Sequence, residues 1–214
     1  MRNKFDGQLK KLKDELIQMG IMIEESIQQA IDALIRSDLE LARKIMERDV
    51  LIDQKQRDIE AICFGLLIQQ QPVARDLRSI TAAMKMVTDM ERIGDHAADI
   101  SEITILLAET ERGEDCRTII QMASEAAGML IQSIDAFTEM DAVKAKAVID
   151  HDDVVDDLFD QVKKELILLI QNDSKRGEQG IDLLMIAKYL ERIGDHATNI
   201  AEWVIASLEQ KPQS

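Results

Sequence analysis

The chain has 214 residues, a net charge of −15, only 3% aromatic residues and two prolines. Such an excess of acid argues against a nucleic-acid backbone or an anionic membrane surface as a direct ligand. It fits cation binding, docking onto a basic partner, or solubility alone.

Abundant Leu, Ile, Ala, Glu, Lys and Met favour long helices over sheets, and the periodic segments predict six. The first begins near Phe5 and runs to Arg36, after which Ser37 or Asp38 offers an N-cap. The opening MRNKFDGQLKKLKDEL has no apolar run of signal-peptide length, and no stretch nears ~18 apolar residues, so a soluble, cytoplasmic protein without membrane insertion is expected. The second helix continues to about Gln70, and Cys63 on its apolar stripe reads as a reduced core thiol rather than a disulfide or a ligand. Pro72 suits the first turn of the third helix, which runs to about Glu109. The polar TERGED at 110–115 places the domain boundary, dividing the chain into 1–111 and 112–214. A fourth helix reaches about Met140, Asp141 caps the fifth, NDSKRG at 172–177 ends it, and the sixth reaches Leu208.

The halves repeat. Glu91–Ile100 reads ERIGDHAADI and Glu191–Ile200 reads ERIGDHATNI, identical at eight of ten positions. The third helix aligns with the sixth at an offset of 100 residues, and the second with the fifth at 103. The predicted fold is therefore all-α: a tandem duplication of an antiparallel three-helix bundle, built of rods ~45 Å long.

On the third helix Met86, Met90, Ile93, Ala97, Ile100 and Leu107 share a stripe and read as core. Glu91, Asp95 and Asp99, at steps of four, form a second stripe roughly opposite; the sixth helix carries Glu191, Asp195 and Asn199 in the same register. Asp49 and Asp53 line a flank of the second helix, and Asp152 and Asp156 a flank of the fifth. Like charges four apart repel by only a few tenths of a kcal/mol, so one such row can be a merely solvated face. Four rows at matching places in both repeats favour a cation site on each pair of helices. Oxygen donors alone suit hard ions such as Mg²⁺, Mn²⁺, Ca²⁺ or ferric iron. Gly94 and Gly194 sit between the core and acidic stripes, where a bare helix lets a neighbour approach. That approach either narrows the gap between the acid rows or serves packing alone. His96 and His196 lack the Glu-x-x-His step of di-iron helices and read as hydrogen-bonded or solvated. Arg92 and Arg192 flank the acids, to temper their charge, present a docking point or face solvent.

With two Glu/Asp-x-x-x-Asp motifs in each half, and PVARDLR at 72–78 opening the third helix, the whole chain resembles the PhoU family of phosphate-uptake regulators. The resemblance implies iron or zinc, with magnesium or manganese as further options, at Asp49, Asp53, Glu91, Asp95 and Asp99, and at Asp152, Asp156, Glu191, Asp195 and Asn199. It implies partner contacts at Arg75, Asp76 and Arg78. It also implies a non-enzymatic homodimer that damps a phosphate-specific ABC transporter, through its ATPase subunit, and a sensor histidine kinase. Asn199 stands where the first repeat has Asp99, so the two sites differ in charge, and NDSKRGEQG lacks the RDLR segment. The competing reading is a carboxylate-bridged metalloenzyme or iron-handling helical protein; it calls for Glu-x-x-His ligands facing a dry bundle interior, which this pattern does not supply.

Overall fold

The computed structural model describes residues 2–70, 72–107 and 116–209. Its elements are α1 (Arg2–Arg36), α2 (Leu39–Gln70), α3 (Ala74–Leu107), α4 (Arg117–Glu139), α5 (Ala142–Asn172) and α6 (Gly177–Leu208), with a single 3₁₀ turn, Ser174–Arg176, before α6. No strand occurs among the described residues. The TERGED boundary and Glu109 lie outside them.

Local chemistry sets the ends. Asp38 caps α2, its Oδ1 accepting from Leu41 N at 3.0 Å, while Ser37 adopts the left-handed conformation that turns the chain (φ 60°). Asp141 caps α5, accepting from Val143 N at 2.8 Å and Lys144 N at 3.1 Å. Met140 stops α4 in the left-handed region (φ 58°). One boundary differs from expectation. Pro72 lies two residues ahead of α3 rather than in its first turn. Val73 precedes the helix instead, its carbonyl accepting from Leu77 N at 2.9 Å; the restriction a proline imposes falls on the residue before it, so Pro72 separates α2 from α3 without entering either.

Helices α1 to α3 form one antiparallel bundle and α4 to α6 the other, and they meet along α3 against α6 and α1 against α4. A single apolar core runs through both. All six stripe residues of α3 are buried, five of them completely. The bundles pack head to tail. Arg78 near the start of α3 donates from Nε to the Ser207 carbonyl near the end of α6 at 3.3 Å. Lys13 near the start of α1 donates to the Thr138 carbonyl near the end of α4 at 2.6 Å. A pseudo-two-fold axis therefore crosses the middle of the α3–α6 seam, where His96 and His196 face each other with ring centroids 5.6 Å apart. The repeat thus has a three-dimensional meaning: matching residues of the two halves approach each other near the axis.

Candidate metal centre

The acids of the first repeat lie not opposite the core, as a single helix suggests, but half-buried in the seam between α2 and α3. Gly94 makes that seam narrow. A Cβ on it would stand 2.9 Å from Ile52 Cγ2 and 3.0 Å from Ile52 Cδ1, closer than atoms pack, and 3.6 Å from Asp49 Oδ1. The bare backbone of α3 thus receives Ile52 of α2 and draws the Asp49 carboxylate up to Asp95. Glycine costs this helix about 1 kcal/mol relative to alanine, and the close approach offsets it.

The result is convergence. Asp49, Asp53 and Asp95 each bring a carboxylate oxygen within 4.8 Å of the others. A hard cation bonded at 2.0–2.6 Å spans such oxygens. Glu91, one turn before Asp95, and Asp99, one turn after it, flank the group. Burial, then the charges of Asp95, Asp53 and Asp99, push the Asp49 carboxyl up to about 6. Burial also raises Glu91, as does Asp95 beside it. Burial raises Asp95, and the Arg92 guanidinium 3.6 Å away only tempers it. Arg92 is 59% exposed, so water screens most of its charge. The Asp49 Oδ1 atom is buried and accepts no hydrogen bond from any described residue. A buried carboxylate oxygen without a donor, beside two more carboxylates, is a group short of a cation. These residues fit a hard metal ion.

The proton is the competitor of that ion. Asp49 holds its proton more tightly in the folded chain than at its ordinary value of 3.8. The stability this gives is fully present below about pH 4 and is lost as pH rises through about 6. One unit is worth ~1.4 kcal/mol; the site is half open to water, so the shift is discounted to on the order of 1 kcal/mol. In chelator, wild type should lose that much more stability than Asp49→Asn between pH 4.5 and 7.5, read by urea unfolding. Parallel curves for the two proteins would refute the account.

In the second repeat the same backbone plan holds. A Cβ on Gly194 would meet Asp152 Oδ1 and Val155 Cγ1, each at 3.3 Å. Asp152 is raised by burial and then by Asp156 and Asp195, and Asp156 by burial and then by Glu191 and Asp195. Asn199 turns out of the set, donating to Asp89 Oδ1 at 3.4 Å across the α3–α6 seam.

Asp89 is the residue the sequence pattern did not single out. Its carboxylate also pairs with His196 Nδ1 at 2.9 Å and accepts from Trp203 Nε1 at 3.2 Å. Its counterpart at the 100-residue offset is Tyr189, which packs on His96 with ring centroids 5.3 Å apart. His96 is buried, which lowers its basicity, and its Nδ1 lies 3.2 Å from Asp99 Oδ2. Both histidines are thus hydrogen-bonded. The available signal was the identical His in both repeats, which a two-fold brings together only because they lie near its axis.

The RDLR residues are elsewhere. Arg75 is exposed and Asp76 half-buried in the first turn of α3. Arg78 caps the carbonyl end of α6. Seventeen residues of helix, about 25 Å, separate Arg78 from Asp95. No helix among the described residues is long and apolar enough to cross a membrane.

Comparison with known proteins agrees with this architecture. The family described as PhoU domain matches twice, at residues 16–104 and 119–204. A phosphate-specific transport system accessory protein PhoU homolog of Clostridium acetobutylicum is 38% identical over 205 residues, 95% of this chain and 94% of that one. A protein of the same description from Synechocystis is 39% identical, over 95% of this chain and 90% of its own. The crystal structure of PhoU from Pseudomonas aeruginosa superposes with a TM-score of 0.88 at 34% identity, covering 95% of this chain and 98% of that one. That of the phosphate transport system regulatory protein PhoU from Streptococcus pneumoniae gives 0.87 at 31%, covering 95% and 96%. With both halves matched and sequence and fold agreeing along 95% of its length, this chain belongs to the PhoU family.

Proposed function

We propose that the protein is a cytoplasmic regulatory accessory of phosphate transport that works by binding rather than by catalysis, with a hard metal ion held between α2 and α3. The relatives named for an accessory role in phosphate-specific transport support the first part. The observation that carries the second is the convergence of Asp49, Asp53 and Asp95 around an Asp49 oxygen with no donor. A donor set made only of carboxylates favours ferric iron, manganese or magnesium over zinc, which prefers nitrogen and sulfur. The metal would tie α2 to α3 and remove negative charge from the face it occupies. On this reading the chain divides at 1–111 and 112–214, pairs as a homodimer, and damps the transporter's ATPase subunit and a sensor histidine kinase. Arg75, Asp76 and Arg78 offer a second contact at the far end of α3.

Deleting the gene tests the role. The strain should accumulate phosphate and express its starvation genes in phosphate-rich medium, and the intact gene should restore both. Normal uptake and normal expression in the deletion strain would refute the proposal.

A further inference from the structure

The two acid sets have diverged in their counter-charge. At the position of Thr88, whose hydroxyl bonds the Met84 carbonyl of its own helix at 3.3 Å, the second repeat has Lys188. Its Nζ contacts Glu191 Oε2 directly, and that glutamate side chain is only 17% exposed. The same ammonium lowers Asp195 and Asp156, opposing the rise that burial and the neighbouring acids impose. The stem is held as well: Nζ stands 5.4 Å from the centroid of Phe159, which replaces Gln56 of the first repeat. Lys163 stands over the same ring at 4.9 Å and replaces Glu60, so the charge at that position is reversed. Asn199 replaces Asp99 and is committed to Asp89. Among the described residues, only the first repeat brings three acidic oxygens within 4.8 Å.

We propose that the chain's own Lys188 acts as the counter-ion of the second acid set, so that each chain takes a hard metal ion at the first repeat only. The proposal rests on the metal reading of the first repeat and deepens it. A single ammonium within a few ångströms of a divalent ion opposes its binding by on the order of 10- to 100-fold, even with most of the field screened. Lys188 thereby gives the second set a counter-ion from within. In the first the nearest cations are the exposed Arg92, 3.8 Å from Glu91 and 3.6 Å from Asp95, and the exposed Arg57, 3.9 Å from Asp53, and none is bonded to Asp49 Oδ1. Loss of metal would then loosen one half of the molecule and leave the other unchanged.

The test uses the full chain stripped with chelator and titrated with Mn²⁺, free ion being read by electron paramagnetic resonance. Wild type should show one tight class per chain. Asp49→Asn with Asp95→Asn should abolish it, and Glu191→Gln with Asp195→Asn should leave it within twofold. Lys188→Thr, which installs the residue of the first repeat, should add a second class that Glu191→Gln removes; Lys188→Met, which keeps an apolar stem on Phe159, should do the same. Conversely, Thr88→Lys should weaken the first class at least tenfold. Two equal classes in wild type, or no gained class in either Lys188 variant, would overturn the inference while leaving the first site in place. A wild-type class that survives Asp49→Asn with Asp95→Asn would overturn the reading of the first site itself. Circular dichroism and unfolding midpoints establish that each variant is folded.

Discussion

Gly94→Leu should destabilise the protein by about 2–3 kcal/mol and abolish metal binding together with it. Even the first added carbon would lie 2.9 Å from Ile52 Cγ2. Ile52 is 3% exposed and β-branched, so its methyl cannot swing away as the end of a long side chain would. Leucine's better helix propensity returns about 1 kcal/mol. Overpacking of a closed helix contact costs 1–3 kcal/mol or more, and three further carbons place this change at the upper end. The helices must separate, and Asp49 moves away from Asp95 as they do. Thermal unfolding with and without Mn²⁺ reads both effects; a midpoint that rises with metal retained would refute this account of the glycine. The matching position provides the control. A Cβ on Gly194 meets its neighbours at 3.3 Å, so Gly194→Ala should be better tolerated than Gly94→Ala.

Asp49→Asn combined with Asp95→Asn should move stability in opposite directions with and without metal. Metal-free, the variant no longer carries the carboxylate charge that burial and then the neighbouring acids disfavour, pushing the Asp49 carboxyl up to about 6, so it should be more stable than wild type at pH 7.5. The gain is on the order of 1 kcal/mol after screening by water. With millimolar Mn²⁺ the order should invert. Wild type is stabilised by the ion in proportion to how far its concentration exceeds the dissociation constant, about 2.7 kcal/mol at a hundredfold excess. The variant should show at least a hundredfold weaker binding and no such shift. Unfolding curves at the two conditions check the crossover; equal metal-induced shifts in both proteins would count against Asp49 and Asp95 as ligands. A metal-free protein made less stable by its own site is the signature of residues kept for function.

Much of the architecture was legible from local rules. Stripes at helical spacing placed the core of α3, and every one of its six residues is buried. Asp141 was recognisable as a cap because a short acceptor before an apolar-periodic run has few other uses in a helix. The repeat announced the two bundles. Pro72 was misplaced by two residues, since proline tolerates the first turn and the turn before it alike, and only the path from α2 into α3 chooses.

The site was legible in part. Acids at i and i+4 on helices that short loops make neighbours were bound to share a seam, and Gly94 marked where that seam closes. A helical wheel nevertheless placed Glu91, Asp95 and Asp99 opposite the core, because it knows only one helix; α2 covers that flank and half-buries them. Asn199 in place of Asp99 already marked the two sites as unequal in charge, but identity along α3 and α6 says nothing of which cations reach them. Lys188 lies on the same helix as Glu191, but that its ammonium serves the second set depends on Phe159 of α5 lying alongside. Asp89 meets His196, Asn199 and Trp203 over sequence separations above one hundred residues. By itself, then, the sequence determined the helices, their caps, the duplication and the carboxylates on offer, all of which follow from propensity and period within one segment. Only the tertiary structure decided which carboxylates converge, which lie against a lysine held by a neighbouring helix and which residues meet on the pseudo-two-fold axis, because charge and packing act through space between segments that sequence order leaves far apart.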